Sequence, residues 1–238
     1  MKKNNTLQLT LLDLNKVFSI LKQLYVLTRY NSEKKSLPMD LDVLASVKYF
    51  KDAQNLLETK GYKAYSHDTS LGGRIKCSQV NLVKDGRIKI DLHQDFTWRK
   101  TRYLDLGLIW SNLEEQTLAG VKIKTPKSEL DTFIIIINII FEKTYLTKDD
   151  FNYIKTYVSN VLSDPIFEKE SEKYGWRNTL KKFRTWWEAK GKSSTSFPKF
   201  LPLSLILYSY LEKFDVVALA YYFFFRIRYS FNKTLPYE

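Results

Sequence analysis

The chain has 238 residues, of which 44% are hydrophobic, and this composition excludes an intrinsically disordered protein. Its 38 Lys and Arg residues against 26 Asp and Glu give a formal net charge of +12, which favours polyanionic partners but also occurs in ordinary basic proteins. A single cysteine, Cys77, excludes an intrachain disulfide and a cysteine-cluster metal site, and it indicates a reducing, cytoplasmic compartment.

The first hundred residues are typical of a mixed β-sheet with flanking helices. Helical spacing of apolar residues and runs of β-branched residues predict the elements. In chain order these are a helix at 7–24, strands at 24–30 and 37–46, a helix at 47–60 and strands at 62–67, 75–83 and 87–96. The last two strands flank Lys84-Asp85-Gly86, and Asp-Gly between two alternating apolar runs indicates a hairpin.

The second half of the chain is predicted to be helical. Residues 104–116 fit no pattern, and a short extended piece ends at Thr125-Pro126. The predicted helices that follow are 128–145, 148–162, 171–190 and 201–231. We therefore predict an α+β fold, with a mixed-sheet domain at 1–125 and a helical domain at 126–238.

Two apolar stretches, Phe133–Phe141 and Val216–Phe225, are each about half the length that spans a bilayer. Buried core is the preferred interpretation of both. The N-terminal segment is interrupted by polar residues and predicts an amphipathic helix, not a signal peptide. A membrane partner is therefore not expected.

The stretch MDLDVLAS, residues 39–46, carries two aspartates within an apolar run. Alternate residues of a strand share a face, so Asp40 and Asp42 are predicted to lie side by side while Met39, Leu41 and Val43 face the core. Two like charges this close favour a bound cation, and Mg²⁺ prefers one or two carboxylates with substrate phosphate. The alternative is a chance pair that protects an edge strand.

A second acidic strand has the sequence RIKIDLHQDF, residues 87–96. Its alternation sets Lys89, Asp91, His93 and Asp95 on one face. If this strand lies beside the first, Asp91 completes a set of three acids. Such a set suits nucleotidyl transfer, in which two acids bind divalent metals and the third orients or deprotonates a hydroxyl.

The segments DLDVL, KIDLH and SELDTFIIIINIIFEKTYLTKDDFNYI, together with the order of elements, resemble the nucleotidyltransferase superfamily over about residues 10–160. The resemblance implies Mg²⁺ or Mn²⁺ at Asp40, Asp42 and Asp91, and a nucleoside triphosphate as substrate. In that family a Gly-Ser pair cradles the triphosphate, whereas this chain offers Asn31-Ser32 without a glycine. Ser32 is therefore only weakly matched.

Two further features have both a functional and a simpler structural interpretation. His93 could act near the metal, but a hydrogen-bonded strand histidine is favoured. Gly72-Gly73-Arg74 could form a phosphate-binding turn with Arg74 or Lys76, but a hairpin turn with a surface arginine is favoured.

A basic segment with interleaved tryptophans follows at residues 172–192. Arg177, Lys181 and Arg184 share one face of its predicted helix and could contact a nucleic-acid backbone. The alternative is an amphipathic helix with its tryptophans in the core and its lysines solvated, which is slightly favoured.

The sequence thus predicts a metal-dependent nucleotidyltransferase that acts on an acceptor hydroxyl of RNA, such as tRNA-like RNA, or of a protein. The competing hypothesis is a catalytically inactive member of the same fold that binds nucleic acid or regulates another protein.

Overall fold

The computed structural model describes residues 2–29, 39–65, 79–98, 101–143, 145–191 and 201–213. The strands in these ranges are β1 (Tyr25–Thr28), β2 (Asp40–Ala45), β3 (Lys63–Tyr65), β4 (Gln79–Val83), β5 (Lys89–His93), β6 (Thr97–Trp98), β7 (Thr101–Arg102), β8 (Leu113–Leu118) and β9 (Val121–Pro126). The α-helices are α1 (Lys2–Ile20), α2 (Phe50–Thr59), α3 (Leu106–Ser111), α4 (Ser128–Asn138), α5 (Lys148–Ser163), α6 (Pro165–Lys173), α7 (Arg177–Trp186) and α8 (Leu203–Glu212). A 3-10 turn at Val47–Tyr49 precedes α2, and π-helical segments at Ile139–Lys143 and Trp187–Gly191 extend α4 and α7.

The main sheet of the described residues has five strands in the order β1-β2-β5-β4-β3. Strands β2 and β5 are parallel, and the other neighbours are antiparallel. The predicted mixed sheet and the β4–β5 hairpin are confirmed. The parallel pair consists of the two acidic strands, which therefore lie next to each other.

Alternation along β2 and β5 divides their side chains between two cores. Leu41 and Val43 of β2 and Ile90 and Leu92 of β5 are buried in a cluster that also contains residues of α1 and α2. Leu44, on the opposite face of β2, is buried in a second cluster with residues of α3 to α8. Asp40 and Asp42 share the face of Leu44, on the side of the sheet where the helical part packs.

The helical part is built around α4, whose residues from Leu130 to Asn138 are all buried. Phe133 of α4 stacks on Trp176 with ring centroids 5.3 Å apart, and the Trp176 indole donates a hydrogen bond of 3.0 Å to the carbonyl of Tyr103. The apolar stretch Phe133–Phe141 is therefore core, as predicted. Val216–Phe225 lies outside the described residues.

Of the helices described, none has an apolar stretch long enough to cross a bilayer. The described residues agree with the predicted order of a mixed sheet followed by helices. The division into two domains at residue 125 stays a prediction.

Three local predictions were wrong or incomplete. Met39 is 77% exposed, because it precedes β2 and the alternation of the strand does not extend to it. Residues 104–116, which fitted no pattern, contain α3 and the start of β8. The predicted helix 171–190 is two helices, α6 and α7, separated at Gly175, where φ is 70°.

Gly175 gives the first testable prediction. Its φ lies in the left-handed region, which an L side chain enters at a cost of about 1 to 2 kcal/mol. A Cβ at this position would meet no atom within 4 Å, so the cost is conformational. We expect Gly175→Ala to lower the free energy of unfolding by about that amount in urea titration, and Gly175→Asn by less, because asparagine tolerates this conformation. Equal stability of all three proteins would contradict this account.

Candidate active site

The register of β2 and β5 brings the predicted acids together. Asp40 is paired with Lys89, Asp42 with Asp91, and Leu44 with His93. Paired residues on neighbouring strands point to the same face and lie about 5 Å apart. Asp40, Asp42 and Asp91 therefore lie on one face of two adjacent strands, with Asp42 and Asp91 directly opposite each other.

Asp42 is held by two cationic or hydrogen-bonding side chains. Its Oδ1 accepts a hydrogen bond from the Arg29 guanidinium, and His93 Nε2 lies 3.0 Å from the same oxygen. Burial raises the pKa of Asp42, but the charge of Arg29, the hydrogen bond of His93 and the more distant charge of Lys143 outweigh it, so the pKa falls well below its usual range. Asp42 is an ionised, oriented carboxylate. His93 is hydrogen-bonded, as the favoured interpretation has it, but its partner is one of the predicted metal ligands, so both interpretations of this histidine stand.

Asp91 has the opposite electrostatic character. It is 9% exposed, and burial together with the charges of Asp42 and Asp40 raises its pKa, although Lys89 lowers it. Lys89 Nζ lies 3.1 Å from Asp91 Oδ1 and 3.4 Å from Asp40 Oδ2. Burial opposes the charge of Lys89, but the two carboxylates outweigh it and raise the pKa of its ammonium group. Two neighbouring carboxylates thus differ in their affinity for protons.

Arg29 and Lys89 are site residues that the sequence reasoning missed. Arg29 follows β1 with φ at 56°, and its backbone N–H donates a hydrogen bond of 2.6 Å to Asp131 of α4. No sequence pattern signals this conformation or this partner, which is distant in the chain. Lys89 was visible as a member of the acidic face of β5, but its position between two carboxylates depends on the pairing with β2.

The donor set suits a hard divalent cation. Lys89 Nζ provides a positive charge beside both Asp40 and Asp91. Among the described residues, no group of three or more His, Cys, Asp or Glu side chains is arranged to hold a metal by itself. A Mg²⁺ ion that used one or two of these carboxylates would need water and substrate phosphate to complete its shell.

For the other predicted site residues the structure gives no contact with these acids among the described residues. Ser32, Arg74 and Lys76 lie outside the described residues. Arg177, Lys181 and Arg184 are on α7, in the helical part.

The basic face of α7 is partly neutralised. Arg177 pairs with Glu168 at 2.8 Å and with Glu172 at 3.0 Å, and Lys181 Nζ lies 3.7 Å from Glu168. The neighbouring rings of Trp176, Phe183 and Trp187 are buried in the core, so they are not available to stack on bases. The tryptophan packing follows the amphipathic-helix interpretation.

Comparison with known proteins gives a family match. Residues 17–160 match a family model described as uncharacterised nucleotidyltransferase. No curated protein matches the chain. Among solved structures, the chain is similar to the lincosamide antibiotic adenylyltransferase LnuA bound to lincomycin, with 18% identity and a TM-score of 0.43, covering 65% of this chain and 98% of that one. It is also similar to the antibiotic-resistance factor ANT(2'')-Ia, with 8% identity and a TM-score of 0.43, covering 76% and 95%.

Proposed function

The chain belongs to the uncharacterised nucleotidyltransferase family, and we propose that it transfers a nucleoside monophosphate from a nucleoside triphosphate to an acceptor hydroxyl of RNA or protein, with Mg²⁺ or Mn²⁺. The observation that supports this best is the pairing of Asp42 with Asp91, beside Asp40, on adjacent parallel strands. The three acids have distinct environments. Such a difference suits a reaction in which some carboxylates bind a metal and another acts as a base.

In this proposal Asp40 and Asp42 hold the divalent ion together with the triphosphate. When bound, the ion supplies positive charge that polarises the α-phosphate and stabilises the departing pyrophosphate. Arg29 and His93 fix the orientation of Asp42 through their contacts with its Oδ1. Asp42 therefore keeps one rotamer before substrate arrives, which lowers the entropic cost of assembling the site.

Asp91 is the proposed base. The acceptor oxygen attacks the α-phosphorus, the bond from that phosphorus to the bridging oxygen of the β-phosphate breaks, and the acceptor's proton passes to the Asp91 carboxylate. A base is more effective when its pKa approaches the operating pH. The raised pKa of Asp91 shifts it in this direction relative to an exposed aspartate.

Arg29 is a further candidate for binding the triphosphate in a chain that lacks the glycine of the family's phosphate loop. Its left-handed backbone at the end of β1 is a conformation that glycine favours, and its guanidinium is suited to bind phosphate. We include Arg29 with the sequence-based candidates Ser32, Arg74 and Lys76 as a contact for the triphosphate.

The experiment is a label-transfer assay. Purified protein is incubated with Mg²⁺ or Mn²⁺, with each α-labelled nucleoside triphosphate in turn, and with total RNA plus cell extract. Label that passes to RNA or protein with the wild type, and not with an Asp40→Asn/Asp42→Asn variant, supports transfer and identifies the acceptor class. An α-label that stays in the triphosphate under all of these conditions contradicts the proposal.

The second candidate is a non-catalytic binding module of the same fold. It is favoured by the ion pairs of Arg29 with Asp42 and of Lys89 with Asp40 and Asp91, which neutralise the acids without a metal. Salt-dependent binding of labelled RNA that is equal in the wild type and the double variant, without label transfer, would support this candidate.

The face of α7 gives a prediction for RNA as the acceptor. We expect the triple variant Arg177→Ala/Lys181→Ala/Arg184→Ala to weaken RNA binding and to reduce the slope of log affinity against log salt by up to about 2, at roughly 0.7 per single-strand phosphate contact. Glu168→Gln should act in the opposite direction, because Glu168 competes for Arg177 and Lys181. Filter binding at several salt concentrations measures both, and unchanged slopes would remove α7 from the interface.

A further inference from the structure

We propose that Lys89 is an internal counter-cation of the acid site, which holds Asp40 and Asp91 together without metal and must leave Asp40 before a divalent ion binds to it. The inference rests on the proposed function, because it treats Asp40 as a metal ligand and Asp91 as the base beside it. It adds a residue that sets how strongly the free protein binds metal.

The geometry carries the first step. Lys89 is paired in register with Asp40 across β2 and β5, and it precedes Asp91 by two positions on the same face of β5. Its ammonium group contacts both carboxylates, at 3.4 Å and 3.1 Å. A divalent ion bound to Asp40 would lie beside this ammonium group, so the lysine and the metal oppose each other at that carboxylate.

Electrostatics carries the second step. The ammonium group of Lys89 lies within ion-pair distance of two carboxylates, and both of them attract it. It leaves by rotating its side chain, which is 35% exposed and has a flexible four-carbon stem. Metal binding therefore replaces an existing ion pair, and the free protein binds metal more weakly than three unpaired acids would.

Binding of Mn²⁺ alone tests this inference, followed by the loss of the free-ion signal in electron paramagnetic resonance. We expect Lys89→Gln to bind Mn²⁺ at least about tenfold more tightly than the wild type, because a positive charge within about 4 Å of the metal position is removed. Lys89→Arg keeps the charge and should bind no more tightly than the wild type. Lys122→Gln is a matched control for net charge, since Lys122 is an exposed lysine on β9 that pairs with Glu115.

Unchanged or weaker Mn²⁺ binding by Lys89→Gln would overturn the inference. Tenfold tighter Mn²⁺ binding by Lys89→Arg would also overturn it, and this second variant keeps the test available if Lys89→Gln fails to fold. Failure of this inference and failure of the proposed reaction give different results. If Lys89→Gln binds Mn²⁺ more tightly but neither the wild type nor the variants transfer label, the role of Lys89 is supported and the transferase is contradicted. If the wild type transfers label but Lys89→Gln has unaltered Mn²⁺ affinity, the transferase is supported and the role of Lys89 is contradicted.

Discussion

Asp42→Asn is expected to reduce nucleotidyl transfer by about a thousandfold or more, equivalent to about 4 kcal/mol of transition-state stabilisation. Asparagine keeps the size of the side chain but removes the charge that would hold the divalent ion. Label transfer under single-turnover conditions measures the effect. Asp52→Asn, an exposed acid on α2, is the matched control and should transfer label at the wild-type rate.

The same substitution is expected to destabilise the fold at neutral pH. The side chains of Arg29 and Asp42 are 13% and 16% exposed, so the variant leaves a mostly buried guanidinium without its counter-charge. Removing one partner of a buried pair costs about 3 kcal/mol, and urea unfolding at pH 7 should show a loss of that order. Asp52→Asn should lose little.

The pH dependence of this loss has a definite sign. The pKa of Asp42 is lower in the folded protein than in the unfolded chain, so the ionised carboxylate stabilises the fold above the ordinary aspartate pKa of about 3.9. That contribution disappears as the pH falls from this value through the lower folded-state pKa. The difference between wild type and Asp42→Asn should therefore be full at pH 7 and pH 5 and should shrink below about pH 4. If the difference in unfolding free energy between wild type and Asp42→Asn is as large at pH 2 as at pH 7, the hydrogen bonds of Asp42 stabilise the fold and its charge does not.

The sequence was informative where a local rule determined the structure. Alternation along DLDVL was enough to predict that Asp40 and Asp42 share a face, and the Asp-Gly turn was enough to predict the β4–β5 hairpin. Alternation along RIKIDLH was correct as far as His93, where β5 ends, and so does not extend to Asp95. The sequence did not predict that β2 and β5 are adjacent, and the set of three acids depended on that assumption. Strand order is decided by the packing of the whole sheet, and neither strand carries a local signal for it.

The site residues that the sequence did not predict depend on contacts between distant parts of the chain. Lys89 was assigned to the acidic face, but a lysine on a strand is normally solvated, and only the register opposite Asp40 gives it two carboxylate partners. Arg29 takes its conformation at the end of β1 with support from Asp131, far along the chain. The break at Gly175 was missed because the apolar spacing continues from α6 into α7, and one glycine is tolerated within many helices.

Asp91→Asn is expected to reduce transfer by about 10²- to 10⁴-fold, the usual contribution of a general base, while making the metal-free protein more stable at pH 7. The folded state raises the pKa of Asp91, so the fold favours its neutral form and the ionised carboxylate costs stability above the folded-state pKa. A neutral asparagine avoids this cost. The variant keeps the contact of Lys89 with Asp40, at 3.4 Å in the wild type.

Thermal unfolding of the metal-free proteins at pH 7 and pH 3 tests the second half of this prediction. The Asp91→Asn protein should melt above the wild type at pH 7 and together with it at pH 3, where Asp91 is neutral in both the folded and the unfolded wild type. Asp42→Asn should shift in the opposite direction at pH 7, although the two aspartates are paired across β2 and β5. If Asp91→Asn instead melts below the wild type at pH 7, the ion pair with Lys89 outweighs burial and the neighbouring acids. Asp91 would then be a structural counter-ion and a poor base, and the proton of the acceptor hydroxyl would have to pass to another group.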